Sequence, residues 1–379
     1  MKNMINYINI IIILFFCSHA CTNDEVTTSE NAVYFEGALG RDFINANIEG
    51  SEINVPISVR TAKPVDGQTE ASVQINESAM EEYNKKYGIE YTVLPTSYYT
   101  LQDTRFTIEK GKYISNTGIL QIKRLDGLPI EKHYAIPVTI TNVSGNSPLL
   151  QTSKTIFVIV KRTITSQAAS LANNYFKVDF SKNNPKLNNM SDLTFETRIF
   201  VNQFQKKSPF ISSIMGDESY FLLRFGDVRI KPYELQIVGG RNTAIGLEIP
   251  FSTGIWYHIA GVYSGKELKV YINGELVLTK DTDRIIEDKV QNDFHFGYSY
   301  GGRYLDGAIS EARIWSRALS RAEIMGGLCV VNPKSEGLVG YWKFNESSDG
   351  KTVKDLSGNE HDAIANTDIT WVQDVKCSN

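Results

Sequence analysis

"WYHIAGVYSGKELKVYINGELV", residues 256–277, decides the fold. Two apolar, β-branched runs, "WYHIAGVYS" and "ELKVYING", are short enough for strands and are separated by turn residues. Asn273-Gly274 stands between apolar runs, and Asn-Gly supplies the positive φ angles that a two-residue hairpin turn needs. The same texture extends on both sides. "LTFETRIFV" (193–201), "YFLLRFG" (220–226), "YELQIVG" (233–239) and "FHFGYSY" (294–300) predict strands of six to nine residues.

The N-terminal half has the same character. "INVPISV" (53–59), "ASVQIN" (71–76), "RFTIEKG" (105–111), "ILQIKR" (119–124), "YAIPVTITNV" (134–143) and "TIFVIVK" (155–161) alternate or run with β-branched residues. Strands at such short spacing predict an all-β sandwich. One helix interrupts it. In "NESAMEEYNKKYG" (76–88), Ser78 and Glu81 have capping-box spacing, Met80, Tyr83 and Tyr87 share one face, and Gly88 can stop the helix. The 379 residues suffice for more than one cored domain, and a net charge of −4 argues against a nucleic-acid partner. "KRTITSQAASLANN" (161–174), polar and poor in bulky apolar residues, predicts the domain boundary.

Two resemblances sharpen this picture. "ESAMEEYNKKYGIEYTVLPTSYYTL" (77–101), "FTIEKG" (106–111) and "HYAIPVTITNVSG" (133–145) resemble an N-terminal domain of unknown function. That domain is common in Bacteroidetes outer-membrane lipoproteins, where it often precedes glycan-acting modules. The opening stretch, "YLDGAISEARIWSRALSRAEI" (304–324) and "LVGYWKFNESSDGKTVKDLSGNEHDA" (338–363) resemble the laminin-G-like, concanavalin A-like jelly roll. The last of these usually opens such domains and here comes last. A jelly roll places its first and last strands side by side, so the permuted order is physically reasonable. The expected architecture is all-β: an Ig-like β-sandwich with one short helix over 31–162, a linker over 163–171, and the jelly roll over 172–379.

The N-terminus reads as an export signal. "INIIIILFF" (8–16) is apolar but too short to span a bilayer, as a secretory h-region is. Cys21 follows Ala20 in "CSHAC", which resembles a bacterial lipobox although Ser18 and His19 depart from it. The resemblance implies a signal peptide over 1–20, a lipid anchor on Cys21, an acidic tether over 21–30, and an outer-membrane protein facing outside. Export removes Cys17 and lipid occupies Cys21. Cys329 and Cys377 are then the two thiols left, which fits one disulfide.

Catalytic patterns are sparse. No ExDxxE places carboxylates on one strand face, no GxSxG elbow accompanies a histidine, and no Walker loop precedes a helix. "DTDRIIED" (281–288) is the densest acidic cluster and reads as a solvated loop. Glu311 stands alone on its strand and can pair with Arg313. "SSDGKTV" (347–353) lacks the closing Trp of a sialidase Asp-box. Trp256, Trp315, Trp342 and Trp371 flank apolar strand residues and read as core. Calcium takes hard oxygen ligands, and Asp355, Asn359 and Asp362 are candidates; the other reading is a turn whose Asp and Asn side chains bond backbone amides.

The loop "YSYGGRYLDG" (298–307) also has two readings. It is a family-typical turn whose tyrosines pack on the sheet, or a loop that grips a sugar through Tyr300, Arg303 and Tyr304. Alternation along "FHFGYSY" places Phe294, Phe296, Tyr298 and Tyr300 on one face. The expected function is non-catalytic glycan binding by a surface lipoprotein of a polysaccharide- or glycoprotein-utilisation system. Its partners would be an extracellular glycan, the outer membrane, and a transporter or glycosidase complex. A structural or protein-interaction subunit is the alternative; a glycoside hydrolase comes third.

Overall fold

The computed structural model describes residues 31–38, 40–180, 192–218, 221–239, 244–265, 267–281 and 293–378. The segments expected as signal peptide (1–20) and tether (21–30), with Cys21, and residues 282–288 of the acidic cluster lie outside the described residues.

The alternation read from the sequence becomes two β-sandwich cores. In the N-terminal one, Val55, Ile57, Leu120 and Ile122 project from a three-stranded sheet of Glu52–Ile57, Gly118–Lys123 and Tyr99–Leu101. They meet Val73, Ile136, Val138, Ile140 and Val158 of the facing sheet. Helix α1 (Ala79–Tyr87) covers the outside of that sheet, with Met80 and Tyr83 packed on Ala135, Phe157 and Ile159. The expected capping box is not formed here. Ser78 is already helical in backbone angle, and its hydroxyl donates to Asn76 Oδ1 at 2.7 Å. Gly88 ends the helix in the left-handed region, φ 61°. The helix with a capping box is α2 (Arg321–Gly326), closed by Ser320 and Glu323.

The C-terminal sandwich packs two sheets around a core rich in phenylalanine. One has the order Glu275–Asp281, Glu267–Ile272, Trp256–Ser264, Asp192–Gln203, Asp306–Trp315; the strand Leu338–Lys343 pairs with the last. The other runs Ala244–Pro250, Ile230–Gly239, Phe221–Asp227, Ser212–Asp217, Phe294–Phe296, Phe176–Val178, Ala363–Ala365, Thr352–Val353. Phe176–Val178 lies beside Ala363–Ala365, so the domain's start and its late segment are adjacent, as the permuted order requires.

The segment 163–171, expected as a linker, is almost wholly strand. Thr155–Ser170 is one strand of 16 residues. Its first half pairs with His133–Ser144 and Phe43–Ile48, and its second half pairs with Trp371–Ser378. The second half is held by strand-to-strand hydrogen bonds to Trp371–Ser378 and Asp306–Trp315, and at its end the small Ala169 enters the C-terminal core. The C-terminal strand is tied down by a disulfide between Cys329 and Cys377, whose Cα atoms are 5.8 Å apart.

Candidate functional site

Period-two alternation sorts the second sheet of the C-terminal domain into two faces. Phe221, Leu223, Phe225, Leu235 and Ile237 enter the core. Arg224 and Gln236, out of phase with them, lie on the other side. There Arg224 Nε donates to Gln236 Oε1 at 2.6 Å, and its Nη2 donates to Asp227 Oδ2 at 2.8 Å. Its Nη1 donates to Glu218 Oε1 at 3.2 Å. Arg303, from the loop before Asp306–Trp315, donates to the same Glu218 oxygen. Two guanidiniums therefore converge on one carboxylate. Burial pushes both arginine pKa values down, yet guanidinium stays charged at any physiological pH. Glu218 Oε2 is buried and has no hydrogen-bond partner among the described residues.

An aromatic cluster borders this polar patch. Tyr298 stacks on Tyr175 with ring centroids 4.7 Å apart, and Tyr304 tilts against Tyr298 at 4.9 Å. The expectation that Tyr298 continues the face of Phe294 and Phe296 is corrected here. The strand ends at Phe296, and Gly297, at φ 81°, turns the chain over. Tyr298 thereby packs edge-on against His295 at 5.1 Å, on the side opposite the core phenylalanines. Gly301 and Gly302 then take φ 81° and 77°, which only glycine adopts without penalty. Leu305 N closes the loop on Gly297 O at 3.0 Å.

The three residues predicted for sugar contact divide accordingly. Tyr300 is 76% exposed at the loop tip, and Tyr304 is 39% exposed on the edge of the tyrosine stack. Arg303 is engaged by Glu218 rather than free. Sequence reading missed Glu218, Arg224, Gln236 and Tyr175. The legible signal was a lone Arg and a lone Gln breaking the apolar register of "FLLRFG" and "YELQIVG".

The three predicted metal ligands hold a turn. Asp355 Oδ1 accepts from the amides of Tyr341 and Ser357, and its Oδ2 accepts from Ser357 Oγ and the His361 amide. Asn359 Nδ2 donates to the Leu338 and Val339 carbonyls, while Asp362 accepts from Lys354 Nζ and the Asp355 amide. Among the described residues no group of three or more His, Cys, Asp or Glu is placed to hold a metal ion. Asp349, in the Asp-box-like stretch, likewise accepts from the amides of Lys351 and Thr352.

A buried charge cluster lies on the outer face of the first sheet. Glu196, His258, Glu311, Arg313 and Trp315 are all buried there. Arg313 donates to Glu311, and its Nη1 donates to Gly327 O at 2.6 Å. Trp315 Nε1 donates to Glu196 Oε2 at 2.6 Å. His258 Nε2 is 3.4 Å from Glu196 Oε1, near enough for charge but not aligned as a hydrogen bond. Burial alone would raise the Glu196 pKa; Arg313 and His258 outweigh it and hold the carboxyl low. At Glu311 burial wins over Arg313 and the pKa rises. Both carboxylates are sealed from substrate. Trp315 and Trp342 are core as expected, whereas Trp256 and Trp371 are half-buried.

Comparison with known proteins agrees with this architecture. Residues 28–147 match a family model for an N-terminal domain, and residues 172–325 match that of the concanavalin A-like lectin/glucanases superfamily. Among solved structures, a Bacteroides ovatus protein described as a candidate carbohydrate-binding protein is 25% identical, with a TM-score of 0.53. The match covers 90% of this chain and 97% of that one. The SAP-like pentraxin of Limulus polyphemus matches over 55% of this chain and 96% of its own, at 15% identity and TM-score 0.37. EndoBT-3987 of Bacteroides thetaiotamicron, with Man5GlcNAc product, matches over 34% of this chain and 30% of its own, at 21% and 0.31. No curated protein matches the chain. The chain thus joins an N-terminal β-sandwich domain to a concanavalin A-like, laminin-G-like C-terminal domain.

Proposed function

We infer that this chain is a non-catalytic glycan-binding lipoprotein of the cell surface, serving a polysaccharide- or glycoprotein-utilisation system. The observation that carries the reading is the likeness, over 90% of the chain, to a candidate carbohydrate-binding protein. Local chemistry supports it. Tyr300 and Tyr304 offer exposed rings that can stack on the C–H face of a pyranose, beside a patch rich in hydrogen-bonding groups. The placement of the carboxylates supports a non-catalytic role. Glu196 and Glu311 are buried, and Glu218 is engaged by two guanidiniums, Arg224 and Arg303.

Anchoring through a lipidated Cys21 on the outward face of the outer membrane is part of the same proposal, as is the company of a transporter or glycosidase complex. The lipobox-like "CSHAC" and the polar tether support the anchor. No helix among the described residues is long and apolar enough to cross a membrane. Mass spectrometry of the mature N-terminus tests the anchor; a free terminus downstream of Cys21 rules it out.

A glycan array probed with residues 22–379, which hold every described residue, tests the function. Binding to at least one glycan class without release of reducing sugar is expected. Release of reducing sugar makes the protein a hydrolase. Silence across the array favours a structural or protein-interaction subunit.

A further inference from the structure

Beside Tyr304 the structure holds a cleft of about 440 Å3, with neither Arg303 nor Glu218 in its lining. It lies where the loops at one end of the C-terminal sandwich meet. Its lining is unusual in chemistry. Asn173, Gln203, Gln205 and Asn366 contribute four primary amides, Asp306 a carboxylate, and Phe204 and Tyr304 two aromatic rings. No lysine or arginine lines it among the described residues. The side chains of Asn173, Gln203 and Asn366 make no hydrogen bond among the described residues, and Asp306 accepts at one oxygen from Asn202 Nδ2 at 3.0 Å.

The walls, by contrast, are well tied. Asn174 is buried, and its Oδ1 accepts from the amides of Tyr175 and Thr367 while its Nδ2 donates to Thr367 O. This knits the loop carrying Asn173 to the loop carrying Asn366. Asn173 itself is held at φ 58°. On the opposite wall Gln205 donates from its side chain to Tyr304 O at 3.4 Å and from its backbone to Ser212 Oγ at 3.2 Å. Asn173, Gln203 and Asn366 are exposed, so walls tied by hydrogen bonds present their amides to solvent, an open site that a ligand enters without rearranging the backbone.

The donor set selects the ligand. A planar amide presents a donor and an acceptor side by side, which matches two vicinal hydroxyls, and a carboxylate oxygen accepts from a third. The rings supply faces for sugar C–H groups. With a carboxylate and no cation in the lining, an acidic sugar would meet repulsion. The volume falls within the range of ligand clefts, about 300 to 1,000 Å3. We propose that this cleft is the seat of a neutral sugar, part of a neutral oligosaccharide, with Gln203, Asn366, Asn173 and Asp306 as its hydroxyl partners and Tyr304 as its platform. The proposal rests on the glycan-binding reading and moves the site from the charged patch to the loop end.

The test uses residues 22–379 and a panel of galactomannan, xylan, laminarin and polygalacturonate, read by affinity electrophoresis and calorimetric titration. Binding to at least one neutral polymer and none to polygalacturonate is expected. The double variant Gln203→Ala with Asn366→Ala should weaken that binding about tenfold or more, the loss of one to two net hydrogen bonds, with Tm unchanged. Asn173→Gly, which keeps the left-handed backbone and removes the amide, should weaken it in the same direction. Undiminished binding by both variants, or binding confined to polygalacturonate, overturns the proposal and leaves the glycan-binding reading standing. A wild-type protein that binds none of the panel and is silent on the array overturns both.

Discussion

His133, the first residue of the strand His133–Ser144, donates from Nε2 to the Gly326 carbonyl at the end of helix α2, a bond between the two domains across 193 residues of chain. The imidazole needs only its neutral form for this bond. Burial lowers its pKa, with the Gly326 bond opposing and Arg162 and Lys161 adding to the effect.

The other described histidines behave alike. His258, His295 and His361 all have pKa values lowered first by burial. Each sits below the ordinary value of about 6.5, so the unfolded chain takes up protons first as pH falls. Their contribution to stability is complete above that value and is lost on acidification through the window beneath it. Glu311, raised by burial, opposes this slope, but one carboxyl stands against four imidazoles. Scanning calorimetry should show a lower Tm at pH 5.5 than at pH 7.5; a Tm that rises on acidification contradicts the account.

Arg313→Met should be among the most damaging single changes. Arg313 is buried beside Glu311 and Glu196, and its removal leaves two carboxylates without their cation. Breaking such a pair costs about 3 to 5 kcal/mol, readable from urea unfolding midpoints. Adding Glu196→Gln and Glu311→Gln to the same chain should recover part of the loss. A single variant within about 0.5 kcal/mol of the parent would show that the network is not compact in solution.

Reduction of Cys329–Cys377, 48 residues apart, opens the loop that pins the C-terminal strand to the segment after helix α2. The chain-entropy model puts the loss at roughly 4 kcal/mol. The double variant Cys329→Ser with Cys377→Ser should lower Tm accordingly. Rapid alkylation of both cysteines in the unreduced, denatured protein would refute the bridge.

Tyr304→Ala and Arg303→Ala separate binding from folding. The Arg303–Glu218 pair is partly open to water, so Arg303→Ala should cost no more than about 1 kcal/mol of stability. Loss of a stacking ring at Tyr304 should weaken a glycan hit by about 1 to 3 kcal/mol, as aromatic stacking on planar bases does. Normal binding by the Tyr304 variant removes the tyrosine from the site. Early melting of both variants assigns the loop to the core.

Much of the fold was legible because β structure writes itself locally. Asn273 and Gly274 take φ 51° and 82°, and the strands they join pair from Ile272 opposite Glu275 outward, as Asn-Gly between apolar runs foretells. The site was less legible. Arg303 reads as a free fork in the sequence, because its partner Glu218 lies 85 residues away. Gly297 reads as an ordinary strand residue, although its single left-handed angle reverses the face of Tyr298.

What the sequence by itself determined was the all-β class, the two units in order, helix α1 with its Gly88 stop, and the loop that carries Tyr300 and Tyr304. These follow from neighbours within a few residues, through periodicity and turn chemistry. Tertiary structure alone decided that 163–170 is strand rather than linker, that Asp355, Asn359 and Asp362 hold a turn, and that Asn173, Gln203 and Asn366 line one cleft. Each depends on which distant backbone or side chain arrives alongside, and that is set by how the sheets close on their cores, not by any local pattern.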